Sequence, residues 1–329
     1  MAPGKRALRS ALRYLVAVAA LLVAGVSGAV SSPLPASSSV PSPTDFVGID
    51  QIAPNVNHAQ PRPTGSAGNF TSPCGTNAEG HRNADSFVLS PGQPNGAHHV
   101  HDYVGNLSTD ARSTPQSLTT AGTTCTNGDK STYFWPVLRN THASGPDANA
   151  LGGGLDGNFG EILRPTTVQL QFRGNSTEQV TAMPDNLVLV TGDAKAATNR
   201  GAHAKAAWTC TGFEDRTTTK YALCPLGSQL VRILDFPSCW DGQNLHPVGH
   251  RASHVVFPQQ DGSCGQGRVV IPQLQITVTY DQPAGRGFAL DSFPEQLHNP
   301  VTDHAFFVNV MPAALMAQAV DCINASRRC

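Results

Sequence analysis

Apolar and polar residues alternate along this chain in short runs broken by glycine and proline, and a period of two recurs more often than the 3.6 of a helix. Thr167-Val168-Gln169-Leu170-Gln171-Phe172 alternates cleanly, and the run from Ile271 to Tyr280 does so again through Leu274, Ile276, Val278 and Tyr280. Shorter strands are expected over residues 187–190, 230–236, 254–257 and 304–310. Two helices are predicted. One opens on Thr114 as N-cap with Pro115 in its first position and Gly122 as its stop. The other, over residues 312–324, gathers Leu315, Met316, Ala319, Val320 and Ile323 on one face. Strands outnumber helices, so the pattern predicts a mainly β, single-domain, sandwich-like fold with a few short helices.

The N-terminus follows a different rule. Lys5, Arg6, Arg9 and Arg13 precede an apolar stretch at residues 14–26, and Ser27-Gly28-Ala29 offers a small-residue cleavage site. Residues 1–29 are therefore expected to be a signal peptide. The stretch is shorter than the roughly 20 residues of a spanning helix, so no membrane association is expected after cleavage. Residues 30–68 are rich in serine, proline and small polar side chains, the composition of a disordered linker, which leaves residues 69–329 as one secreted domain.

Secretion sets the reading of the cysteines. There are eight, at positions 74, 125, 210, 224, 239, 264, 322 and 329, with no close Cys-x-x-Cys pair of the zinc-ribbon kind, so disulfide staples are expected. The local pairs Cys210 with Cys224 and Cys239 with Cys264 fit, and the full connectivity is open. A net charge of −1 with 14% charged residues lacks the basic footprint of a nucleic-acid binder. No nucleophile elbow, Walker loop or dinucleotide fingerprint is present, which disfavours a lipase-type hydrolase, a nucleoside triphosphatase and a Rossmann oxidoreductase.

Several motifs stand together: Asp85-Ser86-Phe87-Val88-Leu89-Ser90-Pro91-Gly92, His99-Val100-His101, and Asp129-Lys130-Ser131-Thr132-Tyr133-Phe134-Trp135-Pro136. Phe236-Pro237-Ser238-Cys239-Trp240-Asp241-Gly242-Gln243-Asn244-Leu245 follows, then His250-Arg251-Ala252-Ser253-His254 with Phe257-Pro258, and finally His304. In this combination the chain resembles the secreted fungal and bacterial family known as domain of unknown function nineteen-ninety-six, over about residues 80–322. The resemblance implies a single secreted domain and brings no established activity. Two positions depart from the family pattern: Phe306 stands where the C-terminal motif has an acid, and Gly249 stands where an acid precedes the first histidine of the downstream pair.

The densest chemistry is His98-His99-Val100-His101-Asp102. In an extended segment His99 and His101 share a face and His98 takes the other. With His254 and His304 they form a candidate ligand set for a divalent metal such as zinc, which would activate water or polarise a substrate oxygen. The candidate catalytic residues are these four histidines and Asp241. Asp102 and Asp241 also make a candidate acid and base pair for glycoside cleavage, although Asp241 equally suits a turn cap. Trp135, Trp240, Tyr103 and Tyr133 suit either a platform under sugar rings or a core. Two functional classes stay open: a histidine-centred enzyme, metal-dependent or acid/base, acting on extracellular polysaccharide or cell-wall material, and a non-catalytic carbohydrate-binding or wall-associated protein.

Overall fold

Alternation decides which side chains meet. In the computed structural model, which describes residues 41–247 and 253–329, the Thr167–Arg173 strand turns Leu170 and Phe172 inward, and Gln273–Tyr280 turns Leu274, Ile276 and Val278 the same way. These two strands pair antiparallel from Gln273 opposite Arg173 to Thr279 opposite Thr167. They are the middle of a five-stranded antiparallel sheet ordered Trp208–Cys210, Leu230–Asp235, Gln273–Tyr280, Thr167–Arg173, Asn69–Ser72. Its other face carries half-buried Gln171, Gln275 and Thr277, as in a sheet with one wet side.

A second five-stranded antiparallel sheet runs Arg82–Asn83, His101–Gly105, Thr132–Pro136, His304–Val308, Val188–Gly192. Its three central strands are buried at every position. On the inner face Val104, Tyr133, Trp135, Ala305 and Phe307 join the first sheet in one apolar core, with the Phe172 ring 6.5 Å from Tyr133 and 5.8 Å from Phe307. On the outer face Phe87, Val88 and Leu118 cover Tyr103, Phe134, Phe306 and Val308. The fold is thus mainly β and sandwich-like, with two small three-stranded sheets at its margins.

The helices sit where the end signals place them. Thr114 caps Pro115–Thr120 by accepting from the Ser117 N–H, and Ala313–Asn324 buries Met316, Ala319 and Ile323 with Leu315 and Val320 at the margin. All eight cysteines are paired, as Cys74–Cys125, Cys210–Cys224, Cys239–Cys264 and Cys322–Cys329, and the two local pairs are those the spacing suggested. Among the described residues no helix is long and apolar enough to cross a membrane. The expected signal peptide, the first part of the linker and His250 lie outside the described residues.

One boundary is corrected. Within the segment read as linker, Ser42 caps a turn at Pro43–Asp45, and Phe46–Gly48 pairs parallel with Tyr221–Leu223. Phe46 and Ile49 are buried in the main core, Phe46 packing 5.0 Å from the Tyr221 ring and 5.4 Å from Phe288. Composition averaged over a Ser/Pro-rich window hides two anchoring side chains, and a strand edge elsewhere supplies their backbone partners. Replacing Ile49 by Ala is therefore expected to lower the unfolding free energy by about 2–5 kcal/mol. Urea unfolding checks it, since a tether residue would change stability by less than about 0.5 kcal/mol.

Candidate metal centre

The register of the second sheet builds the site. Phe134 stands opposite both Tyr103 and Phe306, and the three rings stack at 4.9 and 4.7 Å with planes within 20° and 17°. One pleat further along the same outer face, His101 stands opposite Pro136, and His304 flanks the proline from the other side. Strands two apart lie about 9.5 Å from one another. The compact proline ring between them leaves the two imidazoles free to lean together, and their centroids are 5.8 Å apart. Gly192, opposite His304, has φ +74°, and a Cβ there would stand 2.2 Å from the Asp303 carbonyl oxygen, so only glycine lets this ladder close.

His99 completes the group from just before the strand. Its ring lies 4.7 Å from His101 and 5.1 Å from His304, and its Nε2 is 3.3 Å from His304 Nε2. One ligand nitrogen from each of the three histidines falls within 4.8 Å of the others. Backbone carbonyls set the tautomers: His101 Nδ1–H donates to Asp85 at 3.1 Å and His304 Nδ1–H to Thr302 at 2.8 Å, so each turns an Nε2 lone pair inward. His101 Nε2 is buried without a hydrogen-bond partner. Burial pushes all three imidazoles below the ordinary histidine range, most strongly His99 and His101. Charge on neighbouring histidines adds to this for His99 and His101, whereas the Thr302 carbonyl and Asp303 oppose it for His304. The Ala97 carbonyl also opposes it weakly for His99, without completing a hydrogen bond to Nδ1. The trio is therefore neutral near pH 7, the state that can ligate a metal.

The profile described as Domain of unknown function (DUF1996) matches residues 86–301. The chain belongs to this family. No curated protein and no solved structure matches it. The matched DUF1996 span contains His99, His101, Asp241 and His254 and ends just short of His304.

The structure places the remaining candidates elsewhere in this DUF1996 domain. His254 is apart from the trio: its Nε2 donates to the Val188 carbonyl at 2.7 Å, and Val188 pairs with Val308 at the far end of the strand that begins with His304. Four residues of strand separate those ends, about 13 Å. Asp241 lies beside His254, its N–H bonded to the His254 carbonyl, and caps an exposed turn by accepting from the backbone of Gln243 and Asn244. Slight desolvation is outweighed there by the Asn244 amide and those N–H groups, which hold Asp241 down to about 2. Asp102 faces the other side of its strand from His101 and is fully buried against Arg82 and Asn77. Trp135, Tyr103 and Tyr133 are core residues at 0–1% exposure, so they form no surface platform, and half-buried Trp240 donates its indole N–H to the Asn244 carbonyl. His98 turns outward through a left-handed backbone (φ 53°) and pairs with Asp156 at 2.9 Å.

Sequence reasoning missed the parts that orient and cover the trio. The anchors on Asp85 and Thr302 are backbone carbonyls, which no side-chain pattern reports. The half-buried Phe293 ring lies edge-on 5.2 Å from His99, with Lys195 Nζ 5.0 Å above it. The pKa directions give a test on chelator-treated protein. Above the unfolded histidine value near 6.5 both states are neutral; below it the unfolded chain binds protons that the buried trio refuses. Stability is then expected to be complete above that pH and to fall as pH drops, by up to about 1.4 kcal/mol per pH unit for each histidine. Urea midpoints that stay level from about pH 7 to pH 5 would contradict a neutral, buried trio.

Proposed function

We propose that His99, His101 and His304 hold a divalent metal, zinc or another first-row ion, and that the protein is a secreted enzyme using it on extracellular polysaccharide or cell-wall material. The observation that carries this reading is the convergence of three neutral imidazoles whose outward nitrogens, in two cases, are tied to carbonyls. Two nitrogens bound at about 2.0–2.1 Å to a tetrahedral zinc lie about 3.3–3.4 Å apart. The His99 Nε2 to His304 Nε2 separation is 3.3 Å, and the His101 nitrogen lies within 4.8 Å of both. The bound ion supplies Lewis acidity for activating water or polarising a substrate oxygen. The chain's own contribution is to fix the lone pairs of His101 and His304 and, through Phe134 and Phe306, to keep one wall dry. Secretion fits four disulfides, the usage of oxidising compartments.

A second reading takes the same trio as a structural staple in a non-catalytic secreted binding or wall-associated protein. It is favoured by the burial of the ligands, at 1% exposure for His99, 0% for His101 and 3% for His304. Elemental analysis of the purified protein is expected to find about one equivalent of metal. Thermal unfolding should rise with added ion, by about 4 kcal/mol of stability at a thousandfold excess over Kd. His101→Ala and His101→Gln are expected to lose the ion. Release of sugar from wall polysaccharide that disappears in His101→Gln, with the variant as stable as chelated wild type, supports the enzyme. Metal that stabilises the fold without any such release supports the staple, and absence of stoichiometric metal sinks both metal readings.

A further inference from the structure

The surroundings of the trio say what its fourth position accepts. Three neutral imidazoles leave the two positive charges of a divalent ion uncompensated, and the nearby walls are hydrocarbon: Phe306 lies 5.6 Å from His304, Phe134 5.3 Å from His101 and Phe293 5.2 Å from His99. In such surroundings an uncompensated charge is expensive, so a counter-anion is strongly favoured. The neighbouring carboxylates are already committed. Asp303 takes a bidentate clamp from Arg232, Asp85 accepts from the N–H groups of Asn95 and Ala111, and Asp193 accepts from the Lys195 N–H and the Asn199 amide.

The cover over the trio carries the opposite charge. Phe293 is half-buried with its ring against His99, and the ammonium of exposed Lys195 rests on it at 5.0 Å, a cation–π contact. Two loops form this cover, and Gln296 ties them by accepting from the Ala197 and Thr198 N–H groups and donating to the Thr198 hydroxyl. Lys195 makes no ion pair among the described residues, so its charge is free to meet an incoming anion. An aromatic face beside a cation is also the pairing that suits a sugar ring bearing a carboxylate.

We propose that the metal's open position is filled by a carboxylate, and that the saccharide this protein acts on is acidic, reaching the centre between Phe293 and Lys195. This rests on the metal reading above. It predicts that Phe293 moves aside when the ligand enters and that Lys195 leaves the ring to meet the carboxylate.

Cobalt-loaded protein tests both levels separately, because cobalt in a three-histidine site has visible absorption bands that change with the fourth ligand. Glucuronate and acetate are expected to shift the bands saturably, whereas glucose at the same concentration leaves them unchanged. Lys195→Gln should weaken glucuronate by about three- to fivefold at low salt, with the difference shrinking as salt rises. Failure of cobalt to bind at all overturns the metal reading and this proposal with it. Cobalt that binds and gives a spectrum indifferent to both carboxylates leaves the metal reading standing and overturns the open, anion-accepting position. An equal response to glucose overturns the acidic preference, and unchanged glucuronate affinity in Lys195→Gln overturns the role given to that lysine.

Discussion

Across the apolar core that the two sheets share, one buried guanidinium bridges them, and the site hangs on it. Arg232, on the Leu230–Asp235 strand of the first sheet, is fully buried and reaches across to the second. Its Nε and one terminal nitrogen clamp Asp303 at 3.1 and 2.6 Å, while the other donates to the Pro136 carbonyl at 2.9 Å and to the Tyr280 hydroxyl at 3.2 Å. The Trp208 and Tyr280 rings stand 5.3 and 6.0 Å from the guanidinium carbon. Asp303 directly precedes His304, and Pro136 is the register partner of His101. A single cation therefore locates two of the three imidazoles. Removing one member of such a pair leaves the other charged and buried, at about 3–5 kcal/mol. That magnitude decides the matter: neither sheet can slide past the other without uncovering a charge.

A second buried pair pins the remaining histidine. Arg139 binds Asp291 through Nε and a terminal nitrogen, and its other contacts run to Asp147 and the Gly160 carbonyl. Asp291 in turn accepts from the N–H of Val100, the residue between His99 and His101. The backbone on which both histidines turn is thus tethered to a charge that cannot move. Metal sites need ligands held to within about half an ångström, and buried ion pairs gripping the adjacent backbone meet that need more firmly than loop packing would. Here the polar interior serves position more than stability, since a well-packed apolar substitute for a buried pair is often at least as stable.

This division explains what could be read in the sequence. The strands at Thr167–Arg173 and Gln273–Tyr280 were legible because one face is wet and the apolar residues alternate. The central strands of the second sheet are buried on both faces, so His101–Gly105 and Thr132–Pro136 carry no clean alternation, and neither was among the strands predicted from pattern. His99 and His101 do meet, but not by the strand alternation expected of them, since His99 lies in a bend before the strand that starts at His101; His304 came from motif resemblance. His254 looked equivalent to them because its role, a hydrogen bond to the Val188 carbonyl, leaves no mark that differs from a ligand's. The Arg232 and Arg139 clamps were invisible for a related reason. A lone arginine in a strand and an aspartate 71 or 152 residues away in the chain announce no pairing until the sheets bring them together.

The aromatic residue at position 306 gives the centre its character. Its ring continues the Tyr103 and Phe134 stack, so on this face the sheet changes from hydrocarbon to imidazole in one pleat. A carboxylate there would have faced the histidines from the same row, ready to be a ligand or to hold a proton on one of them. With Phe306 in place neither happens. The imidazoles stay neutral, and of their inward nitrogens His101 Nε2 is left without a partner. His99 Nε2–H donates to His304 Nε2 at 3.3 Å, whereas the unpaired buried acceptor His101 Nε2 costs about 1–3 kcal/mol. A cation at their meeting point would remove that penalty. Under the metal reading, the unsatisfied nitrogen that the apolar wall leaves in the metal-free protein would favour binding of the ion.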